Sequence, residues 1–89
     1  MAKIVVAMKI FPKDAGGNLD ELKRQIKQAL PGDAEVHRFD EEPIAFGLVA
    51  LIAQIVMPEE KIGVMELVEN AIRNISAVSE LEVTMVRRI

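Results

Sequence analysis

The sequence has no cysteine, no tryptophan and no tyrosine. The absence of thiols excludes a disulfide framework, a thiolate zinc site and thiol catalysis, so stability has to come from a packed core, and a reducing cytoplasm is the compartment such a chain fits. Three phenylalanines are the whole aromatic content, too little material for stacking a run of bases or sugars. Positive charge is not in excess either. Against 14 acidic residues stand 11 basic ones, for a net charge of −3, the wrong sign for a surface that neutralises phosphates and a better match for a basic partner. Neither nucleotide-loop spacing, GxxxxGK[ST] or GxGxxG, occurs; "DAGGN" at 14–18 is the nearest stretch and fits neither. No apolar run reaches the roughly 20 residues of a membrane-crossing helix: the longest, Ile44 to Met57, is interrupted by Gly47 and Gln54.

What is present describes one globular domain over residues 1–89, with 51% hydrophobic residues and 28% charged, a composition able to fill a single two-layer core. The N-terminal "MAKIVVAMKIF" superficially resembles a signal peptide, but Lys9 breaks it and no small-residue cleavage site follows. It reads as a strand instead, with Ile4, Val6, Met8 and Ile10 on one parity and Lys3 and Lys9 on the other. After Pro12, Gly16 and Gly17, Asn18 and Glu21 form a capping-box pattern. Leu19, Leu22, Ile26 and Leu30 then line one side of a helix that Pro31 and Gly32 end. "AEVHRFDEE" is a polar strand suited to a sheet edge; Val36 and Phe39 have opposite parity, which calls for a bulge if both face the core. A long apolar strand is expected from Pro43 to Met57, central in the sheet because both parities are apolar. "PEEKIGVMELVENAIRNI" reads as a second helix with Val64, Val68, Ala71, Ile72 and Ile75 on one stripe, its start blurred by Gly63. "ELEVTMVRRI" gives a last strand in which Leu81, Val83 and Met85 alternate with Glu82 and Thr84.

The order β-α-β-β-α-β, with right-handed crossovers sharing one sheet, predicts a ferredoxin-like α+β two-layer sandwich: a four-stranded antiparallel sheet in the order 4-1-3-2 with both helices on one face. The other face is left open. If Val49, Leu51, Ala53 and Ile55 meet the helices, Phe46, Leu48, Ala50, Ile52 and Gln54 look outward, and polar Gln54 favours that parity. Two outcomes are open for this stripe: a surface for another protein, or cover by side chains of neighbouring strands.

Groupings that support bond chemistry are thin. His37 is the only histidine and has no second histidine or cysteine to complete a metal shell. The acids Asp40, Glu41 and Glu42 would point alternately to opposite sides of a strand and do not converge on an ion, so a solvated turn is expected there. No catalytic residue, cofactor site or metal site is assigned. Two features stand out as places for a partner. Phe46 follows Pro43 and lies between Ala45 and Gly47, small flanks that leave a ring unobstructed, although most large apolar residues are buried and a core position is the commoner place for such a ring. At the end, Arg87 and Arg88 precede Ile89, where a cation can reach a neighbour's carboxylate or phosphate site, or simply solubilise a strand end.

These residues resemble a known family over essentially the whole chain. "DEEPIAFGLVAL" at 40–51, "LKRQIKQALPGDAEVHRFDEEP" before it and the closing "LEVTMVRRI" are similar to the archaeal translation elongation factor 1-beta family, guanine-nucleotide exchange factors for elongation factor 1-alpha. The resemblance implies a cytoplasmic exchange factor in translation elongation that does no bond chemistry of its own, needs no cofactor and is monomeric when free. It would act on the GTPase elongation factor 1-alpha, without direct contact to nucleic acid or membrane. It also implies that the segment Pro43, Ile44, Ala45, Phe46 and Gly47 supplies an aromatic anchor, as an "IGFG" segment does in eukaryotic relatives, and that Arg87, Arg88 and Ile89 touch the partner. Arg88 holds the place of a penultimate lysine that disturbs the magnesium site in those relatives. The competing reading from the topology alone is a small-molecule-binding or self-associating regulatory module, which predicts a stable homodimer.

Overall fold

The alternating first segment becomes β1, Lys3–Pro12, in a computed structural model of the chain that describes residues 2–13, 19–45, 47–59 and 63–89. It is followed by α1 (Leu19–Ala29), β2 (Glu35–Pro43), β3 (Val49–Pro58), α2 (Val64–Arg73) and β4 (Val78–Arg88). The strands form one four-stranded sheet in the order β2-β3-β1-β4, antiparallel at every pairing. This is the 4-1-3-2 order of the ferredoxin-like sandwich read from the other edge.

The two layers are joined by one parity of each central strand. Val6, Met8 and Ile10 of β1 and Leu51, Ala53, Ile55 and Met57 of β3 are buried with Leu22 and Ile26 of α1 and Val64, Val68 and Ile72 of α2. Spacings of three and four on the helices against a period of two on the strands are what let these sets interlock. Each fully buried aliphatic side chain contributes about 1.5–3 kcal/mol of transfer free energy. Leu19, Leu30, Ile75 and Val83 pack at the rim of the same core. Val49, expected to face the helices, is only half-buried at the strand start and stands outside that core.

Of three register breaks, one lies near the end of β1 between Phe11 and Pro12, and the other two decide which side chains face the core. The ladder of β2 on β3 shifts between Val36 and Arg38, so Val36 and Phe39 both oppose helix-facing residues, Ile55 and Ala53, and the bulge required by their opposite parity is present. A second shift, between Ala7 and Met8 on the β4 side, was not legible in the sequence. It pairs Val83 with Met8 but Met85 with Ala7, so Met85 turns to the open face instead of continuing the Leu81–Val83 row. Thr84 fills the break, its hydroxyl donating to the Ala7 carbonyl at 3.1 Å.

Three other expectations are revised. The strand after Pro43 does not begin there: residues 44–48 form a loop, and β3 starts at Val49. Asp40, Glu41 and Glu42 lie within β2 and not in a turn. The second helix starts only at Val64, because Gly63 takes a left-handed conformation at φ +87° that ends any continuous helix from Pro58. Asn18, the expected helix cap, lies outside the described residues.

The parity of β3 makes a direct prediction. Replacing fully buried Ile55 by alanine should cost about 2–5 kcal/mol, whereas the same change at half-buried Ile52 on the opposite face should cost less than about half as much. Chemical denaturation of both variants measures the difference, and equal losses would contradict the assignment of faces.

Candidate partner-binding site

Loop 44–48 is a tight connection held by its own backbone. The Ile44 N–H donates to the Leu48 carbonyl and the Leu48 N–H to the Ala45 carbonyl, both at 2.9 Å. Gly47 adopts φ +78° with open space where a Cβ would stand. Glycine is thus needed at 47 for backbone conformation and not for room. Pro43, Ile44, Ala45 and Gly47 are all exposed, with Ile44 at 39%. Phe46, the expected anchor, lies outside the described residues.

The acidic run beneath this loop has a mechanical role that its composition did not disclose. Strand alternation sends its carboxylates to different places, and each finds a cation: Asp40 pairs with Arg38 at 2.7 Å, Glu41 with Lys23 of α1 at 3.0 Å, and Glu42 with Lys9 of β1 at 2.5 Å. The register puts Glu42 opposite Ala50 and Lys9 opposite Ile52. The Lys9–Glu42 pair therefore crosses β3 on the open face, over the one small side chain that permits it, and Ala50 is fully covered. The base of the hairpin is tied to both layers, which gives the exposed loop a fixed platform.

The three closing residues are placed quite differently. Arg87 pairs with Val5 and Arg88 with Ile4, consecutive positions that alternate across the sheet. Arg87 is on the open face; Arg88 is on the helix side. There the Arg88 guanidinium donates from Nε (2.8 Å) and Nη2 (2.5 Å) to Oε1 of Glu59, in the connection after β3. These hydrogen bonds and the carboxylate charge push the arginine pKa further up, so the guanidinium is a permanent cation. It remains 77% exposed, and with two of its five N–H donors used it can still address a partner. The second Glu59 oxygen, Oε2, is buried without a hydrogen-bond partner among the described residues. Glu59 also donates its N–H to the Ala2 carbonyl, and Ile89 donates its own to the Lys3 carbonyl, which fixes both strands at this end. Glu59 is a functional candidate that sequence reading missed, because it lies 29 residues from Arg88 and no local pattern links them.

The structure does not bring the two candidate sets together. The loop precedes Val49 at one end of β3, while Arg88 pairs with Ile4, which pairs with Met57 at the other. Eight residues at about 3.3 Å each put them roughly 25–30 Å apart, along the 42 Å long axis of the molecule. Among the described residues no group of three or more His, Cys, Asp or Glu is placed to hold a metal ion, and no helix is long and apolar enough to cross a membrane. His37 is exposed at the β2 bulge.

The Arg88–Glu59 pair predicts a distinct solution signature. At low salt the Arg88 Nε–H should give a resolved, slowly exchanging NMR signal that is lost in Glu59→Ala; an unchanged signal would mean the pair does not form.

Comparison with known proteins agrees with this architecture. The solution structure of the C-terminal domain of the MgtC protein from Mycobacterium tuberculosis superimposes with a TM-score of 0.59 over 97% of this chain and 86% of that one, at 12% identity, a likeness of fold alone. Sequence relatives are much nearer. Proteins named elongation factor 1-beta match over all 89 residues and 99% of their own length: 48% identical in Staphylothermus marinus, 45% in Desulfurococcus amylolyticus and 40% in Methanothermobacter thermautotrophicus. Residues 5–89 match the model of the EF-1 guanine nucleotide exchange domain, and the chain belongs to that family.

Proposed function

We propose that this protein is a guanine-nucleotide exchange factor that promotes GDP release from elongation factor 1-alpha during translation elongation, without bond chemistry of its own. Family membership over residues 5–89 is the observation that carries the reading. The exchange role rests on the family, and the anchor and the cation that would drive it are those the family resemblance implies for Phe46 and Arg88.

Exchange follows from linkage. A factor that binds the empty GTPase better than the GDP-bound one must weaken GDP binding by the same ratio, since the coupling free energy is shared. Each ~1.4 kcal/mol of coupling weakens GDP about tenfold. Two contacts supply it in this account. The loop 44–48, on its ion-paired base, offers Phe46 as an aromatic wedge with Pro43, Ile44, Ala45 and Gly47 around it; a well-packed anchor of this kind is worth about 2 kcal/mol or more. At the far end Arg88, with Arg87 and Ile89 beside it, addresses the magnesium and phosphate region of the partner. An arginine there brings a planar fork of donors in place of a compact ammonium. With the two contacts about 25–30 Å apart by strand rise, the GTPase must be engaged along the length of the sheet, and one end holds the factor while the other perturbs the site.

The mutational consequences are specific. Phe46→Ala should slow stimulated release of a fluorescent GDP analogue by about tenfold or more, the loss of one anchor, with little change in melting temperature. Unchanged release would remove the anchor. Arg88→Ala should lose activity most at high magnesium; full activity there would remove the case for acting on the ion. Because contacts this far apart couple weakly, the double variant should show the product of the two single losses to within about twofold.

A further inference from the structure

The open face of the sheet is not uniform. Near the loop it is closed by the Lys9–Glu42 pair, and along its middle Val5, Ala7 and Ala50 are no more than 5% exposed. Toward the opposite end a groove of about 460 Å³ opens, with Val5 and Val56 as floor, Gln54 beside them, His37 and Arg38 on the β2 side and Arg87 on the β4 side. The bulge between Val36 and Arg38 builds the β2 wall. In a regular strand His37 and Arg38 would face opposite ways; here both line the same groove, and a bulge is a common device for re-aiming side chains beside functional sites.

We propose that this groove is a third contact for the partner GTPase, and that it takes a short acidic segment whose carboxylate is held between Arg38 and Arg87 while its flanking aliphatic side chains rest on Val5 and Val56. The inference rests on the exchange reading for the identity of the partner and extends it across a face of which that reading uses only the Arg87 and Ile89 end. Charge complementarity is the argument. On a chain of net charge −3, this is a place where two arginines flank an apolar floor, and planar guanidinium forks match a carboxylate. Arg38 is lent to Asp40 in an exposed pair of the kind that contributes little and is readily exchanged. The three strand spacings of about 4.8 Å between β2 and β4 leave a trough wide enough for one extended chain. Met85, 39% exposed and turned to this face by its own register break, and Ile89, 66% exposed at the rim, enlarge the apolar contact. A nucleic acid fits less well. Among the described residues the groove's one ring is the His37 imidazole, with no Phe beside it to stack a run of bases, and two arginines are too few to track a continuous phosphate backbone.

The test is the affinity of the full chain for nucleotide-free elongation factor 1-alpha, measured for wild type, Arg38→Glu, Arg87→Glu and the double reversal, with Arg73→Glu on the helix layer as control. Each groove reversal should weaken binding by about tenfold and flatten its salt dependence, the double reversal more than either, with circular dichroism and melting temperature unchanged. Groove variants that bind no worse than Arg73→Glu, beside normal wild-type binding, would overturn the groove and leave the exchange reading standing. Failure of the wild type to bind would remove both. Tight binding of a short single-stranded RNA that the same reversals abolish would assign the groove to nucleic acid and overturn the proposal.

Discussion

Burial of a single parity of β1 and β3 beneath two helices is the constraint on which the rest of the molecule depends. Once Leu51, Ala53, Ile55 and Met57 are committed to the helices, every other residue of β3 faces a side with no second layer, and the chain must finish that side with its own side chains. It does so with the Lys9–Glu42 bridge over Ala50 and with small or β-branched residues at Val5 and Ala7. Left exposed around that finished side are Ile44, Ala45 and Gly47 of the connection, the end of β4 and the groove between Arg38 and Arg87. All three proposed partner contacts are therefore by-products of where the core stops.

The same constraint sets the distance between those contacts. β4 is antiparallel to β1, and β1 to β3, so β4 runs in the direction of β3 and ends at the end of the sheet farthest from the loop that starts β3. In the proposed mode of binding, a factor built this way would touch its partner as a bar and not as a point. Its rigidity matters for that reason, and the ion pairs that look like surface decoration, Glu41–Lys23, Glu42–Lys9 and Arg88–Glu59, sit at the two ends where position has to be kept.

Much of this was legible in the residues. Period-two alternation in β1, the three-and-four spacings of Leu19, Leu22, Ile26 and Leu30 and of Val64, Val68 and Ile72, and the polarity of Gln54 were sufficient for the topology and for the faces of the sheet. The bulge in β2 was visible as a parity conflict between Val36 and Phe39. What was not legible was decided by backbone geometry or by distant pairs. Ile44 and Leu48 are as apolar as the strand they precede, so composition does not separate loop from strand; the left-handed Gly47 and two backbone hydrogen bonds do. Leu81, Val83 and Met85 keep a regular alternation in sequence, and only the ladder on β1 reveals the break at Thr84. The opposite facings of Arg87 and Arg88 and the bond from Arg88 to Glu59 required the sheet itself.

The central claim, that this bar-shaped domain lowers the affinity of a GTPase for GDP by binding its empty form, is tested most directly by the rate at which preloaded fluorescent GDP leaves elongation factor 1-alpha as the protein is added. The account predicts a rate that rises with concentration and saturates well above the spontaneous value. A rate that stays at the spontaneous value at saturating protein would contradict it.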